Sequence, residues 1–383
     1  MKNHIKHLWM AMATLLIIAN AHSDAKVIIN HFNWNPSHIA IEKLDKVRTL
    51  KIMFGHQSVG TNIVDGLTAL SDSNSVRYGL NILFKPSNLT SPAFGHWKNG
   101  ENQDPHSKII AFDAKMRSQV GSNDTWADIL DIGYFKFCYV DLNLSSINTD
   151  SLYEDYVGNM MKLISDYPEC KFVHVTIPLS ALIYGSDKDR NKRRHEFNVK
   201  IRSLADITEG YLFDLADIES HDGNGILQTY ELDGNEYPMM WYDSSDPDNN
   251  GWSYDGGHLN NKGKEHIALA MWSLWVALTD DGSSEVKKSS QDKHLPEQVE
   301  LFGNYPNPFN TQTTLIYNVP IPQKIKIDIF NSLGHYITTI VDNVQHIGFY
   351  TIKFNAENLK SGVYLYRIQN ESFQQTKKMT LLR

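Results

Sequence analysis

Thr49-Leu50-Lys51-Ile52-Met53-Phe54-Gly55-His56-Gln57-Ser58-Val59-Gly60 carries an apolar run into two glycines, and a helical pattern begins near Thr61. A short apolar run bounded by glycine has the length of a buried strand, whereas the apolar residues recurring from Thr61 to Leu70 trace one helix face. The same alternation repeats downstream. Ile129–Val140, Lys171–Ile177 and Tyr211–Leu215 read as strands, and Leu152–Asp166, Lys192–Leu204 and Lys262–Leu278 read as helices. The last of these has Asn260 or Asn261 as a natural N-cap and an apolar face through Ile267, Ala270, Met271 and Leu274. Strand and helix in alternation predict a parallel sheet covered by helices on both faces, a three-layer α/β domain spanning residues 26–280.

The pattern changes at Asp280. Residues 281–299 are polar, lack periodicity and read as a linker. Beyond them, Thr313–Val319, Lys324–Phe330, Tyr336–Val341, Gly348–Phe354, Gly362–Gln369 and Thr376–Leu382 are short alternating segments divided by Gly and Asn turns. They predict a small all-β, Ig-like sandwich over residues 300–383.

At the other end, Lys2 and Lys6 precede an apolar run from Leu8 to Ala19, and Ala19-Asn20-Ala21 places small residues where signal peptidase cuts. Residues 1–21 therefore read as a signal peptide, too short in its apolar part to span a bilayer. The formal charge of −8 argues against a nucleic-acid partner and against docking on an anionic membrane surface. Cys138 and Cys170 cannot make a disulfide framework and are read as two buried thiols.

The C-terminal segment carries linked motifs: Asn304-Tyr305-Pro306-Asn307-Pro308-Phe309-Asn310, Ile329-Phe330-Asn331-Ser332-Leu333-Gly334, Leu359-Lys360-Ser361-Gly362-Val363-Tyr364 and Lys377-Lys378-Met379. In this order they resemble the type A C-terminal sorting domain of type IX secretion substrates. The resemblance implies that the type IX machinery is a partner, that the cargo is secreted or held at the cell surface, and that the sandwich performs no catalysis.

Chemistry is expected in the first domain. Ser58 stands at the carboxyl end of a strand and at a helix N-terminus, where developing negative charge is favoured. Tyr254-Asp255-Gly256-Gly257-His258-Leu259-Asn260 immediately precedes the last helix. An Asp three residues ahead of a His can hold the ring while its Nε2 takes a proton from a serine. Each segment alone also has an ordinary reading, Ser58 as a helix cap and Asp255-Gly256-Gly257 as a turn.

Taken together, Ser58, Asp255 and His258 resemble the SGNH (GDSL-type) hydrolases, in which the serine comes first and Asp and His stand together near the end. The resemblance implies a flavodoxin-like sheet and a serine esterase with the catalytic triad Ser58, His258 and Asp255. Acetyl groups on a polysaccharide, or an acylated small molecule, are the expected substrates. The family's first block, Gly-Asp-Ser, is here His56-Gln57-Ser58. By position, Ser58, Gly95 and Asn143 are the oxyanion-hole candidates. The alternative is a catalytically inactive glycan-binding or cell-surface cargo domain.

No cofactor or metal is expected: nucleotide-binding fingerprints are absent, and the sixteen histidines show no ligand spacing. His221-Asp222-Gly223-Asn224-Gly225 reads as a turn. Asn198 and Arg202 read as packing or surface residues, and Tyr230, Tyr237, Trp241, Tyr242, Trp252 and Tyr254 as aromatics that stack on sugars or pack the 220–254 insertion.

Overall fold

The computed structural model describes residues 27–279 and 299–382, apart from 122, 209, 243–244, 246–250, 306, 320–321 and 346–347. The signal-peptide segment lies outside the described residues, as does all of the linker but its last residue.

Seven parallel strands form the central sheet: β1 (Ile28–Ile29), β2 (Lys51–His56), β3 (Ile82–Phe84), β4 (Ala93–Lys98), β5 (Ile132–Phe135), β6 (Lys171–Val175) and β7 (Tyr211–Phe213). Their spatial order is β1-β7-β6-β5-β2-β4-β3. Strand alternation sends Phe54, Tyr134 and Val173 to one face, where they pack with helices Ile41–Val47, Val59–Ser73 and Asn261–Thr279. Met53, Phe135 and Phe172 point to the other face and meet helices Pro105–Arg117, Thr149–Asp166 and Asp187–Ile207. The sheet is thus the middle of three layers.

The expected strands and helices are present with shifted ends. β5 is much shorter than the apolar run Ile129–Val140, because Trp126–Ile129 closes a helical turn before it and Tyr139–Leu142 a 3-10 turn after it. β4 and the helix Pro105–Arg117 went unread. The strand's Gly95 weakens the strand pattern, yet it packs closely: a Cβ there would lie 2.3 Å from Met53 Sδ on the neighbouring strand, which would have to shift.

The C-terminal unit is two antiparallel sheets. Strands Glu300–Tyr305, Gln312–Val319 and Gly348–Asn355 form one; Gln323–Asn331, Tyr336–Gln345, Gly362–Gln369 and Gln374–Leu381 form the other. Leu315, Tyr317, Ile327, Ile329, Tyr366 and Met379 fill the space between them. This sandwich rests against the first domain. Ile316 joins the core of its second face, and Lys353 Nζ lies 3.2 Å from Glu154 Oε1.

Both cysteines are buried free thiols. Among the described residues no helix is long and apolar enough to cross a membrane.

Candidate active site

Ser58 follows β2 and caps helix Val59–Ser73 at φ 37° and ψ −105°, a left-handed conformation that costs a non-glycine residue about 1–3 kcal/mol. Its side chain makes no capping bond to that helix. Instead its Oγ lies 2.5 Å from His258 Nε2, joining residues 200 positions apart. His258 Nδ1 lies 2.7 Å from Asp255 Oδ2. Strain at Ser58 and the missing cap bond both point away from a plain capping role.

The loop that presents His258 is held by its own carboxylate. Asp255 Oδ1 accepts the backbone N–H of Gly257 (2.9 Å) and of His258 (2.7 Å), so one side chain shapes the turn and orients the ring. Partial burial pushes the Asp255 carboxyl up, but the His258 N–H, the His258 ring and the Gly257 N–H outweigh it and hold the group below the usual carboxylate range. Gly256 takes φ +81°, and a Cβ at Gly257 would lie 2.4 Å from the Tyr139 ring. That contact brings the edge of Tyr139 against the imidazole, with centroids 5.8 Å apart at 90°. Tyr254 stacks on His258 from another side at 6.0 Å and remains substantially exposed.

Helix packing sets the register between the two segments. Gly66 on helix Val59–Ser73 approaches Lys264 O so closely that a Cβ would lie 2.2 Å away, bringing helix Asn261–Thr279 alongside. Asn62 Oδ1 accepts Leu259 N at 3.2 Å, next to His258. Asn260 is the N-cap, its Oδ1 accepting Gly263 N at 2.8 Å.

The oxyanion candidates fare differently. The Ser58 N–H stands at the helix N-terminus, ahead of the first intrahelical bond. Gly95 is a correction: it lies inside β4, registered with Met53 and Leu83, well short of the level of Ser58. Lys98, paired with His56, ends β4, so the residues at that edge are Asn99 and Gly100. Gly100 O accepts Gln57 Nε2 at 2.5 Å, and Asn99 N donates to His56 O at 2.9 Å. Asn143 ends the 3-10 turn Tyr139–Leu142, and its Oδ1 accepts Arg194 Nη2 at 2.6 Å, which leaves its amide as a donor.

Arg194 was not singled out in the sequence. It is almost fully buried and also donates to Tyr139 O (2.7 Å) and Ser180 Oγ (2.7 Å), so it braces the segment beside His258. Burial lowers its guanidinium to about 10. A charged residue at helical spacing carries no sign of such burial. Asn198 proves to be a packing residue, bonding Ile177 N and O, while Arg202 pairs with Asp214 at 2.6 Å. Beneath Ser58, His56 Nε2 and His96 Nδ1 are 3.0 Å apart, and burial depresses both rings, to about 2 and about 4.

Residues 304–381 match the secretion system C-terminal sorting domain. This match indicates export by type IX secretion, to the cell surface or beyond it. Among solved structures, PorU from Porphyromonas gingivalis is similar over 22% of this chain, at 19% identity and a TM-score of 0.19; the match spans 9% of PorU. A Bacteroides fragilis protein provisionally assigned as an acylhydrolase is similar over 63% of this chain and 97% of its own, at 12% identity and a TM-score of 0.38. A family two carbohydrate esterase from Clostridium thermocellum is similar over 58% of this chain and 62% of its own, at 10% identity and a TM-score of 0.28. No curated relative matches the sequence.

Proposed function

We propose that this chain is an exported serine esterase that removes acyl groups, acetyl foremost, from a carbohydrate. The observation that carries this reading is the unbroken relay from Ser58 Oγ through His258 to Asp255, at 2.5 and 2.7 Å.

In the proposed reaction His258 Nε2 takes the proton of Ser58 Oγ as that oxygen attacks the ester carbonyl carbon. Asp255 holds Nδ1–H and stabilises the imidazolium that forms. The oxyanion draws on the Ser58 N–H and the positive end of helix Val59–Ser73, with the Asn143 amide and the Gly100 N–H as further donors. Collapse breaks the ester C–O bond, and the departing alcohol oxygen takes the proton from His258, leaving an acyl group on Ser58. Water repeats the sequence and releases the acid. The strained backbone at Ser58 keeps Oγ turned to the ring instead of to the helix.

Carbohydrate is preferred as the alcohol because the site is open. Tyr254 is 45% exposed and stacked on His258, leaving a ring face at the rim for a sugar. A half-buried serine beside an exposed carboxylate suits a group projecting from a polymer, whereas a long acyl chain would want an enclosed apolar channel.

The test is labelling of the folded protein by a fluorophosphonate, with the adduct located by peptide mass spectrometry, alongside hydrolysis of an acetyl ester. Label on Ser58 and turnover that both vanish in Ser58→Ala are expected. Absence of both from well-folded wild type would overturn the esterase reading in favour of a binding domain.

A further inference from the structure

The other end of the sheet's carboxyl edge carries a second cluster of chemistry-bearing side chains. His31 lies in the turn that follows β1. Asp217 lies in helix Leu215–Ser220, which follows β7, and His221 caps the end of that helix. Because β1 and β7 are hydrogen-bonded neighbours, with Ile29 opposite Phe213, the sheet fixes the spacing of the three residues. Asp217 and His221 are separated by four positions, so they share one helix face.

One potential ligand atom from each of His31, Asp217 and His221 lies within 4.8 Å of the other two. Asp217 Oδ2 is 2.6 Å from His31 Nδ1 and also accepts His31 N at 2.9 Å. His221 Nδ1 lies 2.7 Å from the carbonyl oxygen of Asp217, and the two imidazoles stack at 3.5 Å with 12° between their planes. The side chains of His31, Asp217 and His221 are 17%, 23% and 10% exposed, sheltered yet open enough for an ion to enter.

We propose that His31, Asp217 and His221 form a binding site for a divalent transition-metal ion of the zinc type. Two imidazoles and one carboxylate are the nitrogen and oxygen donors such an ion takes, and three protein ligands leave a fourth position for water. A bond to either nitrogen of a ring leaves the other to carry the proton, so both histidines ligate in the neutral form. For both rings to aim a lone pair at one ion they turn out of their present stack, and the ion then takes the place of the His31 Nδ1–Asp217 Oδ2 hydrogen bond.

The site stands apart from Ser58, since β1 and β2 are separated by four strand spacings, about 19 Å. Its role is that of a staple. His221 O accepts Trp252 Nε1 at 2.8 Å, and Trp252 stacks on His266 a few residues from the His258 loop. The ion would therefore tie the start of the domain to the 220–254 insertion that delivers His258.

The test uses the untagged mature chain freed of metal by chelation. Zinc binding is followed by calorimetry and by metal analysis after dialysis, and cobalt(II) serves as a spectroscopic probe. Expected are one equivalent bound, a visible cobalt spectrum of tetrahedral type, a melting temperature that rises with zinc, and affinity at least about tenfold weaker in His31→Gln and His221→Gln. Wild type that binds no zinc overturns the proposal. So does undiminished binding in both variants, which would place the ion elsewhere. Should one variant fail to fold, the other variant and the wild-type cobalt spectrum still decide. These readouts do not use ester hydrolysis, so they are independent of whether Ser58 is a nucleophile.

Discussion

Lowering the pH from 7 to 5 should destabilise the α/β domain sharply, because His56, His174 and His266, like the His96 ring beside His56, are buried where an imidazolium is disfavoured. His56 is 1% exposed, His174 is fully buried, and His266 sits between the rings of Trp34 and Trp252, each 3.9 Å away. Burial, reinforced at His56 by Lys98, His96 and Lys136, depresses these rings to about 2, about 4 and about 3 respectively. Their folded-state values thus lie below the unfolded value of about 6.5. Between those values the unfolded chain binds more protons, so stability is full above about pH 6.5 and falls as the pH drops.

Each ring contributes about 1.4 kcal/mol per pH unit in that window, and the three together about 6 kcal/mol between pH 7 and 5. Glu219 works the other way. Burial raises its carboxyl, so it gains stability on acidification and offsets part of this loss. With His96 adding to the loss, a net fall of several kcal/mol remains, a large part of the 5–15 kcal/mol of an ordinary domain. Urea denaturation at pH 7, 6 and 5 measures it, with the midpoint shifting steadily downward and the slope unchanged. His174→Gln, which removes one titrating ring, should flatten the dependence by about 1.4 kcal/mol per pH unit. A midpoint constant from pH 7 to 5 would refute the argument that these rings stay neutral in the fold.

Other substitutions probe the site directly. Asp255→Asn should retain the fold by circular dichroism and lower acetyl-ester turnover by about 10⁴, since the imidazole loses its orienting acceptor; unchanged turnover would mean that Asp-Gly-Gly-His is only a turn. Ser58→Gly should abolish labelling yet raise stability by about 1–2 kcal/mol, because glycine adopts φ 37° without strain. A fall in melting temperature would show that the backbone there is relaxed. Gly257→Ala would set a methyl group 2.4 Å from the Tyr139 ring and should cut kcat more than stability, as the displaced loop carries His258. Removing residues 281–383 should leave a folded α/β domain of reduced stability, since Ile316 leaves its core; calorimetry that finds no cooperative transition would place the domain boundary elsewhere.

Periodicity alone was enough to read both architectures. Short apolar runs between amphipathic stretches bury both faces of a strand in a helix-covered parallel sheet, and the alternation after residue 299 buries only one face, as in a sandwich. The candidates Ser58, Asp255 and His258 could be singled out because helix ends and glycine turns are marked locally, and their residue types are those the proposed chemistry uses. What lay beyond the sequence depends on register and depth. Gly95 was a donor candidate by position alone, whereas the sheet registers it with Met53 and seals it inside. Arg194 lies on a helix so rich in charge that nothing local distinguishes it, and only the carbonyl of Tyr139 and the amide of Asn143 converging on it reveal its burial. His31 stands 186 positions from Asp217, and their meeting required the first strand to pair beside the seventh. Local chemistry is written in short stretches of chain, but which stretches come within a few ångströms is settled by strand order and helix packing, energies shared among many residues and visible in none of them singly.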